Sequence, residues 1–268
     1  MRDSRLIEPA NEYEQWLLEF DWRDIDAADP RSQWALKYRS RLQRALGALA
    51  DLPEGAVVLE AGCSQANASL LAAERGLRAV GLDREWRALA YARRKHERGA
   101  LALLCGQAER LPLGDEACAA VLALEILEHL PDPSAALREM WRVLRPGGRL
   151  IISTPNADFA HERLPSYARR PPTQAARQGA DAEGHLFAFR PTELRELVRR
   201  AGFAVCAAGY EGSMVMSDRL CLNRILPPAT LLRLSRLLNR CPGARFVSYG
   251  CFVAATRAEE PGPTCGAQ

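Results

Sequence analysis

Acidic residues recur in this chain at the ends of short apolar runs, where they could do chemistry. Val58-Leu59-Glu60-Ala61-Gly62-Cys63-Ser64-Gln65-Ala66 ends such a run in an acid, a glycine and small residues, which let backbone approach a ligand closely. Twenty-three residues after Glu60, Asp83 closes a second run, and an acid so placed can accept hydrogen bonds from both hydroxyls of a ribose. The full G-x-G-x-x-G pattern is absent: Ser64 and Ala66 stand where more glycines would favour a phosphate cradle. Glu125, Glu128 and His129 are spaced by three and four, which predicts one face of a helical turn, and His185 follows in Gly184-His185-Leu186-Phe187. Two carboxylates and two imidazoles could hold one divalent ion, with Mn, Fe or Zn suiting the nitrogens better than Mg.

The elements that must position these residues follow from the alternation of apolar runs and helical patterns. Apolar runs lie at 56–59, 79–82, 101–105, 119–124 and 149–153, with helical stretches after the first, second and fourth. Those stretches end at Gly76, at Gly99 and at Pro146-Gly147-Gly148. The helix predicted from Pro133 to Leu144 has Asp132 as its cap and a proline in its first turn. Continuous apolar strands alternating with helices require a parallel sheet covered on both faces, and such sheets place ligands beyond the carboxyl ends of their strands. The residues just after each run are therefore the ones to examine: Glu60 to Gly62, Asp83, Gln107 to Glu109, Glu125 and Thr154 to Asn156.

These segments, in order, resemble a class I S-adenosylmethionine-dependent methyltransferase, similar to the O-methyltransferases of ubiquinone biosynthesis. The resemblance rests on Val58 to Cys63, Gly81-Leu82-Asp83, Gln107 to Leu113, Glu125 to Pro133, Leu144 to Asn156, His185 to Leu194 and Ala201-Gly202-Phe203, and covers roughly residues 36 to 210. It implies a Rossmann-like doubly wound α/β sheet of seven strands, the last antiparallel. It implies S-adenosyl-L-methionine as cofactor, with Glu60, Gly62 and Cys63 around its methionine part and Asp83 on the ribose diol. Arg84, Gln107, Ala108 and Glu109 would lie near the adenine, and Glu125 beside the sulfonium. Gln107 stands where the family usually has Asp; its amide oxygen can still accept from the adenine amine. Methyl transfer asks mainly for in-line positioning, but an alcohol or phenol acceptor must also lose a proton. Glu128 and His129 are the catalytic candidates, His129 being the better base because imidazole titrates near neutral pH. Glu125, Glu128, His129 and His185 as a metal set are the alternative, a pattern similar to metal-using small-RNA ribose 2′-O-methyltransferases.

The rest of the chain bears on acceptor and setting. Residues 1–52 read as a helical cap, 53–256 as the methyltransferase domain with insertions at about 157–184 and 210–245, and 257–268 as a flexible tail. The second insertion interleaves Leu and Arg, and residues 219–240 could lie on an anionic membrane or cover a lipid-linked acceptor. The expected function is methylation of oxygen on a small-molecule acceptor, possible classes including lipid- or glycan-linked ones. The alternatives are an RNA ribose 2′-O-methyltransferase and a catalytically inactive cofactor-binding partner subunit. A formal charge of +3, from 36 basic and 33 acidic residues, is too balanced to argue for nucleic acid, which is not the expected partner. Eight scattered cysteines without a C-x-x-C argue against a zinc ribbon and for a reducing compartment. No apolar run is long enough to span a bilayer and the amino terminus lacks a signal-peptide core, so a cytoplasmic protein is expected.

Overall fold

The computed structural model describes residues 8–19, 32–169 and 184–258. Two helices come first, α1 (Glu12–Glu19) and α2 (Gln33–Gly47). The sheet-forming part then runs β1 (Val57–Ala61), α3 (Asn67–Ala73), β2 (Arg78–Asp83), α4 (Trp86–Lys95), β3 (Ala100–Cys105), β4 (Cys118–Leu124), α5 (Pro133–Val143) and β5 (Leu144–Pro155). After it come α6 (Pro191–Arg200), β6 (Phe203–Glu211), α7 (Leu222–Ile225), α8 (Pro228–Leu238), α9 (Ala244–Val247) and β7 (Gly250–Arg257). The seven strands form one sheet in the order β3-β2-β1-β4-β5-β7-β6. The first five are parallel, and β7 inserts antiparallel between β5 and β6.

Side-chain alternation along the strands explains why both faces carry helices. Leu59, Val121 and Ile152 enter one core with Leu137 and Met140 of α5 and Leu194 and Val198 of α6. Their neighbours Val58, Ala120, Leu122 and Ile151 enter a second core with Leu42, Ala45 and Leu46 of α2 and Ala68 and Ala72 of α3. Each fully buried Leu contributes about 2 kcal/mol by leaving water, so the central strands had to be apolar on both sides.

Asp132 caps α5 as expected, accepting from the backbone N–H groups of Ser134 and Ala135. Several boundaries differ from the sequence expectation. The helix after β2 stops at Lys95 rather than near Arg98, and the one after β1 stops at Ala73. The final strand begins at Gly250, because 244–247 turn as α9 and leave Phe246 exposed. The tail and first-insertion expectations fall largely on 259–268 and 170–183, which lie outside the described residues. Among the described residues, no helix is long and apolar enough to cross a membrane.

Candidate active site

The parallel register brings the carboxyl ends of β1, β2 and β3 side by side, with Ala61 opposite Leu82 and Asp83 opposite Cys105. Chain leaving β1 must turn at once: Gly62 has φ +72° and both Gly62 and Cys63 donate to the carbonyl of Leu82. A Cβ at Gly62 would meet Ile126 Cδ1 at 2.5 Å, so only glycine fits there. Ser64 and Ala66 also take positive φ, 46° and 57°. These are the two positions where the glycine-rich pattern lacks glycine, so the turn keeps its shape against the side-chain preference.

The structure turns Glu60 inward. Its carboxylate accepts from the Ser69 N–H at 2.8 Å and the Ser69 hydroxyl at 2.6 Å, tying β1 to α3. Burial lifts its pKa from 4.5 to about 7, against the lowering effect of these hydrogen bonds. Because the folded value is raised, the associated stability is fully present below about pH 4.5 and is lost as pH rises through about 7. We expect wild-type protein to lose roughly 3 kcal/mol between those limits relative to Glu60→Gln. Denaturant unfolding at both ends of that range checks this; parallel losses in the two proteins contradict it.

Asp83, half-buried, holds the rim of the crevice. Its Oδ2 accepts from Ser64 N at 2.7 Å and its Oδ1 from Glu85 N at 2.9 Å. Each oxygen keeps a second lone pair, which a vicinal diol matches. Arg84 and Gln107 are exposed at the neighbouring tips, Glu109 is half-buried and Ala108 is buried. Cys63 is buried beside Gly81 and Leu89, a packing residue with its thiol pKa pushed well up by burial.

At the end of β4 the helical spacing expected for Glu125, Glu128 and His129 does not form. Glu125 sits at φ +55° and only Leu127–His129 wind, as a short 3-10 turn, so Glu125 points elsewhere. Its Oε1 accepts from the Ser153 hydroxyl at 3.2 Å and its Oε2 pairs with Arg41 Nη2 at 2.9 Å. Arg41 comes from α2 and also faces Glu211 at 3.8 Å, while Arg44 pairs with Glu211 at 2.8 Å. Burial pushes Glu211 above its ordinary value, opposed by both guanidinium groups. Sequence reasoning missed Arg41, Arg44, Ser69 and Glu211. Only the i, i+3 pairing of the two arginines opposite the apolar stripe of α2 hinted at the first two.

Glu128 is fully buried, and its Oε2 accepts from the Thr154 hydroxyl at 3.0 Å while Oε1 has no hydrogen-bond partner among the described residues. Burial, aided by the nearby Glu125 charge, raises its pKa well above the carboxylate range, favouring the neutral acid. His129 Nδ1 meets the Gly184 carbonyl at 3.1 Å, a contact that requires the proton on Nδ1. In the neutral ring Nε2 then carries the lone pair. Burial lowers the His129 pKa, opposed by that same hydrogen bond. The His185 ring lies 4.7 Å away, centroid to centroid. Glu128, His129 and His185 each offer a ligand atom, all within 4.8 Å of one another. Of the four residues suggested by sequence as metal ligands, these three come together and Glu125 stands aside with Arg41. Asn156, at the end of β5, is buried and donates to the carbonyls of Arg245 and Ser248, so it fastens the far rim.

The tips of the parallel strands thus bring together the Asp83 carboxylate, the exposed Gln107 amide, the tight turn at Gly62 and the Glu125 carboxylate. Residues 59–152 match the family described as Methyltransferase domain. A Mycolicibacterium smegmatis protein, named a probable S-adenosylmethionine-dependent methyltransferase, is 31% identical over 183 residues, 68% of this chain and 64% of that one. The malonyl-(acyl-carrier protein) O-methyltransferase of Serratia marcescens is 33% identical over 154 residues, 57% of this chain and 55% of that one. An S-adenosylmethionine dependent methyltransferase structure from Mesorhizobium loti aligns with a TM-score of 0.58 at 20% identity, covering 87% of this chain and 100% of that one. The chain thus spans less than two thirds of the length of these two curated relatives. Residues 59–152 therefore match the methyltransferase domain family, and the chain has the fold of the Mesorhizobium loti methyltransferase structure.

Proposed function

We propose that the chain transfers a methyl group from S-adenosylmethionine to an oxygen of a small-molecule acceptor. The observation that carries this is the placement of Asp83, with two lone pairs open to a diol, on the same sheet edge as His129. Gly62 and Cys63 would hold the methionine part, Asp83 the ribose, and Arg84 and Gln107 the adenine side. Bound there, S-adenosylmethionine supplies an electrophilic methyl on a positively charged sulfur. The chain's own part is to orient the acceptor and to take its proton. His129 Nε2 accepts the proton of the acceptor hydroxyl, and the resulting imidazolium is steadied by the Gly184 carbonyl on Nδ1. Glu125, locked by Arg41 and Ser153, sets negative charge at the mouth, where the sulfonium would lie. An oxygen acceptor accords with the name of the Serratia relative. Incubating the protein with isotope-labelled cofactor and cell extract, then reading labelled products by mass spectrometry, tests the proposal. A labelled ether or ester is the expected product; label on nitrogen or carbon alone, or none, refutes it.

A second reading, a divalent cation on Glu128, His129 and His185, is favoured by their mutual approach within 4.8 Å and by the Glu128 oxygen that has no hydrogen-bond partner among the described residues. The first reading is preferred because Glu125 stands aside in its ion pair with Arg41, which leaves three of the four candidate ligands together. Exhaustive treatment with a chelator is therefore expected to leave turnover unchanged. Loss of turnover restored by Mn, Fe or Zn would instead assign the three residues to a metal.

A further inference from the structure

We infer that the outer side of residues 219–249 is a docking surface for an anionic membrane. This stretch holds six arginines and no Asp, Glu or Lys. It folds onto the domain through one side of α8: Leu231 and Leu232 are buried against Leu36 of α2 and Met216. The opposite side of α8 leaves Leu234 and Leu237 exposed, Leu237 by 60%. Ile225 of α7 is 76% exposed, and Leu220 and Phe246 also face out. Arg233, Arg236 and Arg240 stand exposed on the same helix segment. Large apolar side chains set among guanidinium groups describe a helix that lies in a headgroup layer, the apolar groups entering it and the cations meeting lipid phosphate.

A groove of about 640 Å³ runs beside α8, lined in part by Ser40, Gln43 and Arg44 of α2, Tyr210 of β6, and Arg236 and Arg240. Arg236 donates to Gln43 Oε1 at 2.6 Å, which holds its guanidinium over the groove. Guanidinium groups lining one groove suit a phosphate, here that of a lipid headgroup, because the exposed Leu234 and Leu237 share α8 with Arg236. Charge selects the occupant. A second copy docking by the same face would set arginine against arginine, and a nucleic acid would leave Ile225 and Leu237 without a partner. This surface does not depend on the methyl-transfer reading. If both hold, the acceptor is an amphiphile taken from the bilayer.

Co-sedimentation of the full chain with vesicles tests it, without any methyl donor present. Vesicles of equal parts phosphatidylglycerol and phosphatidylcholine are expected to bind at least about tenfold more tightly than pure phosphatidylcholine, with the difference lost at high salt. Leu237→Glu, and separately the pair Arg236→Glu with Arg240→Glu, should each weaken binding by about tenfold or more while thermal melting stays unchanged. Millimolar inorganic phosphate should not compete. Equal binding to both vesicles, variants that bind like wild type, or displacement by phosphate or by an RNA oligonucleotide would each overturn the inference.

Discussion

Replacing Asp83 by Ala is expected to weaken S-adenosylmethionine binding by about 10- to 100-fold, the loss of charge-assisted hydrogen bonds to the ribose. Asp83 also accepts from Ser64 N and Glu85 N, so the same change loosens the turn around Gly62. The two effects separate with a ligand that lacks one ribose hydroxyl. Wild-type protein should prefer S-adenosylhomocysteine over its 2′-deoxy analogue, and Asp83→Ala should lose that preference. Calorimetry on the four combinations reads both. A variant that still discriminates would move the ribose to another residue.

His129→Ala is expected to lower kcat by about 100-fold or more, the usual worth of a positioned base, while leaving cofactor affinity unchanged. The pH profile gives a sharper signature. Burial lowers the His129 pKa from 6.5, so the free base persists into mildly acidic solution. The acid limb of kcat/KM should therefore lie below pH 6.5 in the wild type and vanish in the variant. A purely structural histidine would show a changed melting temperature and an unchanged limb.

The strand ends that frame the proposed site were legible in the sequence for one physical reason. A parallel sheet covered on both faces must be built of apolar runs, so the polar residue that ends each run marks a strand tip. Asp83, Gln107 and Glu125 were found that way, as was Gly62, whose φ of +72° only glycine holds at ease. What stayed hidden depended on contacts between distant segments. Arg41 lies on the charged side of an amphipathic helix and reads as solvated, but Glu125 and Glu211, 84 and 170 positions away, draw it inward. Nor did the sequence announce that Ser69, nine positions on, donates twice to one oxygen of Glu60. The helical face drawn through Glu125, Glu128 and His129 failed because a single left-handed residue breaks the spacing, and no local pattern announced it.

The ribose assignment at Asp83 supports the rest of the account, and a crystal structure with S-adenosylhomocysteine bound tests it most directly. The account predicts both ribose hydroxyls within hydrogen-bonding distance of the Asp83 carboxylate and the sulfur turned toward Glu125 and His129. Adenosine density elsewhere, or a sulfur facing away from the ends of β1 and β4, would contradict it.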